Sequence, residues 1–247
     1  MNVVKVMGGL GNQLFQYAVA KHLEQYDEIG LDITYYDSEI NHNGDVPHRD
    51  FLLPCFVDNL VYAEQESRQR VNQWNYDKDK PYTDSWFWGD WQKYDFFKDV
   101  ELDIRLKDEY INEATRNLAE QMQNEDSVGV HIRRTDYKDL GWLLSLDYYN
   151  RAVDRIKSLI PNPVFYVFSD DISWCCDNVK FNFRVWAYQD ELTDFWLMSK
   201  CKHNIIANSS YSFWAAYLND NPDKHVIYPR EWICTTNPCE GLKWEAM

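Results

Sequence analysis

The N-terminal segment alternates between an apolar strand pattern and a helical pattern, with a glycine-rich turn between them. Residues 3–6 contain three valines, and Gly8, Gly9 and Gly11 follow directly. Apolar residues then recur at helical spacing over 14–23, and residues 29–34 form a second short strand pattern. A strand, a crossover helix and a second strand in this order predict a parallel sheet, and therefore an α/β fold.

The same alternation restarts after residue 125. Strand and helix patterns follow one another through the segments 127–132, 147–160, 164–168, 192–200, 203–207, 213–218 and 226–228. Between the two series, we expect a helix over 103–123 and helix-compatible structure over 63–73. The repeated alternation predicts two Rossmann-like domains, residues 1–124 and 125–247.

Charge and hydropathy exclude several classes of partner. The chain has 247 residues and a net charge of −15, so an acidic surface repels nucleic acid and anionic lipid. No stretch approaches the roughly 18 uninterrupted apolar residues of a membrane span, and the first residues lack a signal-peptide pattern. We therefore expect a soluble, cytoplasmic protein that binds an anionic ligand only at a local basic cluster or a helix N-terminus.

The cysteines show no CxxC spacing and do not predict a metal site. They are Cys55, Cys175, Cys176, Cys201, Cys234 and Cys239. Cys201 with His203, or Cys234 with Cys239, have spacings compatible with metal binding. Buried, reduced thiols of a cytosolic protein explain all six more simply, so we expect no metal.

Three polar clusters follow strand patterns of the C-terminal half, at residues 131–136, 169–171 and 208–212. Ligands of open α/β sheets bind beyond the carboxyl ends of the strands, so these clusters mark a candidate site. Arg133 and Arg134 suit phosphate, because a guanidinium donates paired hydrogen bonds and keeps its charge. A structural pair with an aspartate explains the arginines equally well, and helix capping explains the other two clusters.

The glycine turn at residues 8–13 follows a strand and opens a helix, as dinucleotide-binding turns do. Asp32 lies about 20 residues further on, the usual distance to a ribose-binding acid. However, the GxGxxG pattern needs glycine where Leu14 stands, and neither GxxxxGK nor GxSxG occurs. An NAD-dependent oxidoreductase is therefore disfavoured. The turn still predicts a close approach of another molecule to the backbone.

Residues 84–97 contain an unusual density of aromatic side chains. Such rings can form a platform for a sugar, but an aromatic stripe more often belongs to a hydrophobic core. We expect the core role for most of them.

Taken together and in this order, the clusters resemble the alpha-1,2-fucosyltransferases of glycosyltransferase family 11. The resemblance extends over nearly the whole chain, and its last motif is long and specific. The matching stretches are GGLGNQLFQYA at 8–18, LDITYY at 31–36, WGDWQKYDFF at 88–97, VGVHIRRTDY at 128–137, FYVFSDD at 165–171 and LMSKCKHNIIANSSYSFWAAYL at 197–218.

This resemblance implies a GT-B fold with two Rossmann-like domains facing a cleft. It implies that the C-terminal half binds GDP-fucose and that the N-terminal half binds a glycan acceptor ending in galactose. The expected reaction is an inverting, metal-independent transfer of L-fucose that forms an alpha-1,2 linkage. A protein of this kind would serve glycan synthesis and could make peripheral contact with a membrane that holds a lipid-linked acceptor.

The resemblance also implies roles for individual residues. Arg133 would contact the β-phosphate, and Asn12 would lie near the reacting carbon. His131 and Asp170 would hold the guanosine. The donor-binding residues are expected to be Gly9, Gly11, His131, Arg134, Asp170, Asn208, Ser209 and Ser210. For the general base, the candidates are Asp32 and Asp136.

Two other functions fit the same residues. One is a transferase on this scaffold that uses a different nucleotide sugar. The other is a non-catalytic protein that binds a glycan or nucleotide, although that role does not require paired arginines at the end of a strand.

Overall fold

The computed structural model describes residues 1–42, 47–66, 68–186, 190–233 and 236–247. The chain divides into two compact units, Met1–Lys107 and Asp108–Met247, which we call unit 1 and unit 2. The turn residues Asn43 and Gly44 and the thiol of Cys234 lie outside the described residues. None of the helices described is long and apolar enough to cross a membrane.

Unit 1 contains a parallel sheet whose described strands have the order β2-β1-β4-β3. Its strands are β1 (Asn2–Lys5), β2 (Ile29–Asp32), β3 (Gln69–Asn72) and β4 (Ser85–Trp88). Its helices are α1 (Leu10–Leu23) and α2 (Glu39–His42), with 3-10 turns at Leu53–Cys55 and Tyr94–Phe96. The βαβ opening therefore forms the predicted parallel pair, and α1 packs on it through buried residues such as Leu14 and Phe15.

The helix-compatible structure expected over 63–73 is wrong, because this polar segment contributes the strand β3. Residues Gln69 to Asn72 form a strand because their backbone pairs with β4. The guanidinium of Arg70 lies 5.7 Å from the ring centroid of Trp86 on that strand. As an edge strand in which Val71 is the buried residue, β3 has no apolar alternation for a sequence pattern to detect.

Unit 2 contains a second parallel sheet, with the described strands in the order β6-β5-β7-β8-β9. The strands are β5 (Ser127–Ile132), β6 (Val164–Ser169), β7 (His203–Ile205), β8 (Val226–Tyr228) and β9 (Glu245–Ala246). The helices are α3 (Glu113–Asn124), α4 (Thr135–Leu140), α5 (Leu146–Leu159), α6 (Ile172–Asn178), α7 (Glu191–Lys200) and α8 (Ser210–Tyr217), and a 3-10 turn covers Asp108–Tyr110. Every residue of β5 is buried, which agrees with a central parallel strand.

The two units meet in the chain at Lys107 and Asp108, before the predicted boundary at 124/125. Helix α3 belongs to unit 2 because it packs against α7, and the Ser127 hydroxyl donates to the Met122 carbonyl at 2.6 Å. The helix expected over 103–123 begins only at Glu113. Asn112 caps it there, because its Oδ1 accepts from the Thr115 backbone N–H at 2.9 Å.

The cysteines that the structure describes are free thiols. Cys55, Cys175, Cys201 and Cys239 are buried, and Cys176 is exposed. Burial raises the pKa of the Cys201 and Cys239 thiols, so they stay protonated.

Candidate functional site

Arg133 lies just beyond the carboxyl end of β5, at the centre of the polar residues 131–136, 169–171 and 208–212. Its Nε and Nη2 donate to the two carboxylate oxygens of Asp136 at 2.9 Å each, and Nη1 lies 3.2 Å from Asp170 Oδ2. The guanidinium also lies 5.6 Å from the ring centroid of Tyr137. The side chain stays 21% exposed, so it is fixed in place but not sealed from solvent.

Asp170, at the end of β6, holds the start of α4 against the end of β5. Its carboxylate accepts from the backbone N–H groups of Arg134 at 2.8 Å and Thr135 at 3.1 Å, and from the Thr135 hydroxyl at 2.5 Å. Burial opposes ionisation, but Arg133 and these donors hold the pKa of Asp170 below its ordinary value. These contacts give Asp170 a positioning role, and its predicted contact with guanosine stays a prediction.

Arg134 points away from its neighbour and is tied to α6. Its guanidinium carbon lies 3.3 Å from the ring centroid of Trp174, and its Nε lies 3.4 Å from Asp171 Oδ2. Asp171 in turn caps α6 by accepting from the Trp174 backbone N–H at 3.1 Å. These contacts give Arg134 a structural role, and its predicted donor-binding role stays a prediction.

His131 and Asn208 carry buried polar atoms that lack partners among the described residues. The two residues are 4% and 5% exposed, and the atoms concerned are His131 Nδ1 and Asn208 Oδ1. Burial, with the Arg133 charge nearby, lowers the pKa of His131, so the imidazole is neutral. An unsatisfied buried polar group costs about 1–3 kcal/mol, and a bound ligand would remove that cost.

The N-terminus of α8 lies beside these atoms. Ser209 occupies the N-cap position, but its side chain makes no capping hydrogen bond, and Ser210 begins the helix. Asn208 is fixed from both sides, because its Nδ2 donates to the Trp142 carbonyl at 3.0 Å and its own carbonyl accepts from the Tyr137 hydroxyl at 3.2 Å. Helix N–H groups without an acidic or side-chain cap suit an anion.

Asp194 and Tyr211 belong to the same region; Tyr211 lies in the predicted cluster at 208–212, whereas Asp194 had no signal in the sequence. The rings of Tyr211 and His131 lie 5.5 Å apart, and the Tyr211 hydroxyl donates to the Glu191 carbonyl at 2.6 Å. Oδ1 of Asp194 has no partner in the described part of the chain, and burial, helped by Asp190, raises the pKa of Asp194 to about 7. Asp194 lies inside an apolar helical stretch, so only its burial reveals it.

In unit 1, hydrogen bonds of the Gln13 and Tyr36 side chains fix the glycine turn. Gly8 has a φ of +79°, and its carbonyl accepts from the Tyr36 hydroxyl at 3.0 Å and from Gln13 Nε2 at 3.1 Å. Gln13 Oε1 also accepts from the Leu52 and Leu53 backbone N–H groups at 2.9 and 3.1 Å. The first glutamine of the motif therefore fixes two loops at once.

The remaining residues predicted for unit 1 lie at the same edge of its sheet. Gly9 is the N-cap of α1 without a side chain to cap it, Gly11 is buried in the first turn, and Asn12 Oδ1 accepts from Gln92 Nε2 at 3.0 Å. Thus the structure groups Gly9, Gly11 and Asn12 in one unit and the arginine cluster in the other.

Asp32, one of the two base candidates, is fully engaged at the end of β2. Its carboxylate accepts from the Thr34 N–H at 3.0 Å, the Thr34 hydroxyl at 2.6 Å and the Trp86 indole at 3.0 Å. Burial alone would raise the pKa of Asp32, but these hydrogen bonds and Lys5 hold it below its ordinary value. A low pKa and occupied lone pairs indicate a structural carboxylate.

The aromatic segment divides as the sequence suggested. Phe87, Trp91, Phe96 and Phe97 are buried in the core, whereas Trp88 is exposed.

Over the residues described, no group of three or more His, Cys, Asp or Glu side chains is arranged to hold a metal ion.

Comparison with known proteins identifies the relatives of this chain. The model of glycosyl transferase family 11 matches residues 1–232. An alpha-1,2-colitosyltransferase of Escherichia coli is 30% identical over 98% of this chain and 97% of that protein, and the O-antigen biosynthesis glycosyltransferase WbnK of the same species is 28% identical over 93% and 94%. The bovine galactoside 2-alpha-L-fucosyltransferase SEC1 is 24% identical over 87% of this chain and 63% of that protein.

Among solved structures, the fucosyltransferase NodZ from Bradyrhizobium has the same fold. It superposes with a TM-score of 0.57 at 17% sequence identity and covers 90% of this chain and 96% of NodZ. The predicted α/β fold of GT-B type with parallel sheets is thereby confirmed. The chain is a glycosyltransferase, and it belongs to glycosyl transferase family 11.

Proposed function

We propose that this enzyme transfers L-fucose from GDP-fucose to a hydroxyl of a galactoside, with inversion at the anomeric carbon and without a metal ion. The observation that carries the proposal is the group at the carboxyl edge of the unit 2 sheet. There, a fixed but partly exposed Arg133 accompanies an uncapped helix N-terminus and the unpartnered buried atoms of His131 and Asn208. The names of the relatives, colitosyl- and fucosyltransferases, support a 6-deoxy sugar as the transferred group.

Unit 2 offers suitable partners for the diphosphate and for the guanine base of GDP. Arg133 and the N-terminus of α8 would bind the diphosphate, since both present N–H donors with positive charge. The Asp194 carboxylate can accept from two adjacent N–H groups, which is the pattern that a guanine edge presents. NodZ has been crystallised with GDP and soaked with GDP-fucose, which supports the same class of donor here.

During transfer, the bond between C1 of fucose and the β-phosphate oxygen breaks, and its electron pair stays on that oxygen. Arg133 would stabilise the developing charge, and one such preorganised donor lowers the barrier by about 3 kcal/mol. This electrostatic role is often filled by a divalent ion, and a fixed guanidinium can supply it instead. The acceptor hydroxyl attacks C1 from the opposite face, which inverts the configuration.

Asp136 is the base candidate that this arrangement favours. In the present structure, its carboxylate is engaged by Arg133. A diphosphate that draws Arg133 toward itself would weaken this pair and leave the carboxylate able to accept the hydroxyl proton. Donor binding would then prepare the base, which would restrict proton removal to the loaded enzyme.

GDP-colitose should be tested as a second donor, because this chain is 30% identical to an alpha-1,2-colitosyltransferase over nearly the full length of both chains. If colitose is also carried on GDP, its nucleotide would bind the same residues of unit 2 as that of GDP-fucose. Competition between the two GDP-sugars for one acceptor measures the preference directly.

The test is transfer from radiolabelled GDP-fucose to a panel of β-galactosides, with the linkage of the product read by NMR. A new alpha-1,2 bond with inverted anomeric configuration is expected. Transfer only from another nucleotide sugar, or binding of GDP-fucose without turnover on any acceptor, would contradict the proposal.

A further inference from the structure

The loop that follows β4 in unit 1 is held rigidly on both sides of Asp90. Gly89 has a φ of +153°, and a Cβ at this position would lie 2.9 Å from Gln73 Oε1. The Gly89 carbonyl accepts from Gln16 Nε2 at 3.1 Å, and the Trp91 N–H donates to Gln73 Oε1 at 2.8 Å. Trp91 is fully buried and has a φ of +58°, a backbone conformation that residues other than glycine rarely adopt. The backbone around Asp90 is therefore strongly fixed.

Asp90 itself is a half-buried carboxylate that makes no hydrogen bond or ion pair within the described part of the chain. Burial raises the pKa of Asp90, and no charged neighbour opposes that effect. A carboxylate in this position destabilises the folded state, since its desolvation is not compensated. A rigid loop that presents an uncompensated polar group is typical of a binding site rather than of a scaffold.

Trp88 precedes this loop and is the aromatic residue of its segment that faces solvent. Its exposed fraction is 48%, whereas Phe87 and Trp91 are completely buried. Large exposed rings are costly to leave in water and are common in sites that contact the apolar face of a sugar. Trp88 and Asp90 therefore flank Gly89 with one apolar surface and one hydrogen-bond acceptor.

The position of this loop connects it to the glycine turn. Strand β4 is the neighbour of β1, and the two are parallel, so the loop and the turn leave the same edge of the sheet. Gln92 Nε2 donates to Asn12 Oδ1 at 3.0 Å, which joins the two segments directly. A ligand at Asp90 would consequently lie beside the first turn of α1.

We propose that Trp88 and Asp90 form an acceptor-sugar subsite, in which the indole stacks on a pyranose ring and the carboxylate accepts hydrogen bonds from its hydroxyl groups. The chemistry favours a neutral, polyhydroxylated ligand, because a carboxylate accepts hydrogen bonds and donates none. An anionic ligand such as a phosphate would be repelled by Asp90. This subsite rests on the proposed function, and it assigns acceptor recognition to two residues of unit 1.

The test compares Asp90→Asn with Asp95→Asn in the full-length enzyme. Asp95 is a matched control in the same aromatic segment, and it forms a surface ion pair with Lys98 at 2.7 Å. For Asp90→Asn, we expect the acceptor KM to rise about 10-fold or more, as for a lost hydrogen bond to a charged group, with the donor KM unchanged. The control should match wild type in both constants.

Thermal unfolding supplies a second, independent readout. Removal of an uncompensated buried charge should leave the midpoint of Asp90→Asn equal to or above that of wild type, whereas loss of a structural carboxylate would lower it. For the ring, Trp88→Ala should raise the acceptor KM by about 10-fold, and Trp88→Phe should restore most of the affinity, because a smaller ring can still stack.

Monodeoxy galactosides identify the hydroxyl groups that Asp90 binds. With wild type, removal of the contacted hydroxyl should raise the acceptor KM, and with Asp90→Asn the same analogue should cause no further loss. Wild-type turnover tests the proposed function separately, and a wild type that transfers to no galactoside removes both proposals. Normal acceptor KM in Asp90→Asn and Trp88→Ala, or a lowered melting midpoint in Asp90→Asn, would overturn the subsite alone.

Discussion

The guanidinium of Arg134 stacks on the indole ring of Trp174 at 3.3 Å, while the guanidinium of the adjacent Arg133 faces Asp136 and Asp170. Two consecutive arginines thus make different contacts, one with α6 and the other with Asp136 and Asp170. The stacked residue fixes α6 to the end of β5, and its neighbour remains partly exposed at the candidate donor site.

The first prediction separates these tasks. Arg134→Ala should lower the free energy of unfolding by about 1–2 kcal/mol, through loss of the stacking and ion-pair contacts, with GDP affinity within a few-fold of wild type. Arg133→Lys should instead reduce kcat about 100-fold or more, because an ammonium cannot reproduce the paired hydrogen bonds of the fork.

Urea unfolding and GDP titration measure the two effects side by side. Loss of GDP binding in Arg134→Ala with normal stability would contradict the structural role, and near-normal kcat in Arg133→Lys would contradict the proposed phosphate contact.

A second prediction concerns Asp170, which caps α4 through the N–H groups of Arg134 and Thr135. Asp170→Asn should lower the free energy of unfolding by about 1 kcal/mol or more, since the cap and the Arg133 pair are both weakened. kcat should fall as well, because Arg133 loses a contact that orients it. Asp171→Asn is the comparison variant: it keeps a good N-cap for α6, so its effect should be much smaller. Equal losses in the two variants would contradict this assignment.

The pH dependence of stability provides a third prediction, centred on His203. Burial and the stacked His225 lower the pKa of His203 to about 4 from 6.5, and its Nδ1 accepts from the His225 N–H at 3.0 Å. Between about pH 4 and pH 6.5, His203 is therefore protonated in the unfolded chain and neutral in the folded chain. Stability from this residue is complete above about pH 6.5 and is lost as the pH falls toward 4.

His203→Gln should remove this dependence, since glutamine can accept the same hydrogen bond without titrating. Relative to its stability at pH 7, wild type should lose about 2 kcal/mol more than the variant at pH 5. Urea unfolding at both pH values gives the difference. The same slope in variant and wild type would show that His203 is not the source.

The fold was largely predictable because its main strands are continuous apolar runs separated by helical patterns. β5 and β6 follow this rule, since every residue of β5 is buried. Helix α4 was missed because its start depends on Asp170, a residue distant in sequence, and its own residues Thr135–Leu140 are mostly polar. β3 was assigned the wrong structure for a related reason, because edge pairing rather than apolar alternation forms it.

The site was predictable only as a set of neighbouring clusters. The positions of His131, Arg133 and Asn208 at strand ends follow from the parallel topology. Which arginine stacks on Trp174 and which stays at the candidate site is not carried by a pattern of residues. Asp90 and Asp194 were missed because a carboxylate without a partner is recognised from burial, and burial becomes visible only in the folded chain.

A fourth prediction concerns metal ions. If Arg133 and the N-terminus of α8 supply the positive charge for the leaving diphosphate, transfer should continue in excess EDTA at an unchanged kcat. The control is a transferase known to need Mn²⁺, assayed in the same buffer to verify chelation. Loss of activity that Mg²⁺ or Mn²⁺ restores would contradict metal independence.

A fifth prediction tests Asp194 as the residue that recognises the base of the donor nucleotide. Its unpartnered Oδ1 and its raised pKa indicate a carboxylate that gains from two adjacent N–H donors, which guanine offers and hypoxanthine does not. Wild type should bind GDP about 10-fold or more tightly than IDP, since the exocyclic amino group supplies one charge-assisted hydrogen bond. Asp194→Asn should bind GDP more weakly and lose most of this discrimination, because its amide nitrogen faces the donors of the base.

Calorimetric titration of GDP and IDP into wild type and Asp194→Asn measures the four affinities of this comparison. Asp190→Asn is the matched control at the start of the same helix, because asparagine can keep the α7 cap in which Oδ1 accepts from the Thr193 N–H. Unfolding of the empty enzyme adds a separate check: Asp194→Asn should be at least as stable as wild type near pH 8, where the buried carboxylate is ionised at a cost. If Asp194→Asn keeps the full preference for GDP, the guanine edge is read elsewhere, and the raised pKa of Asp194 reflects burial alone.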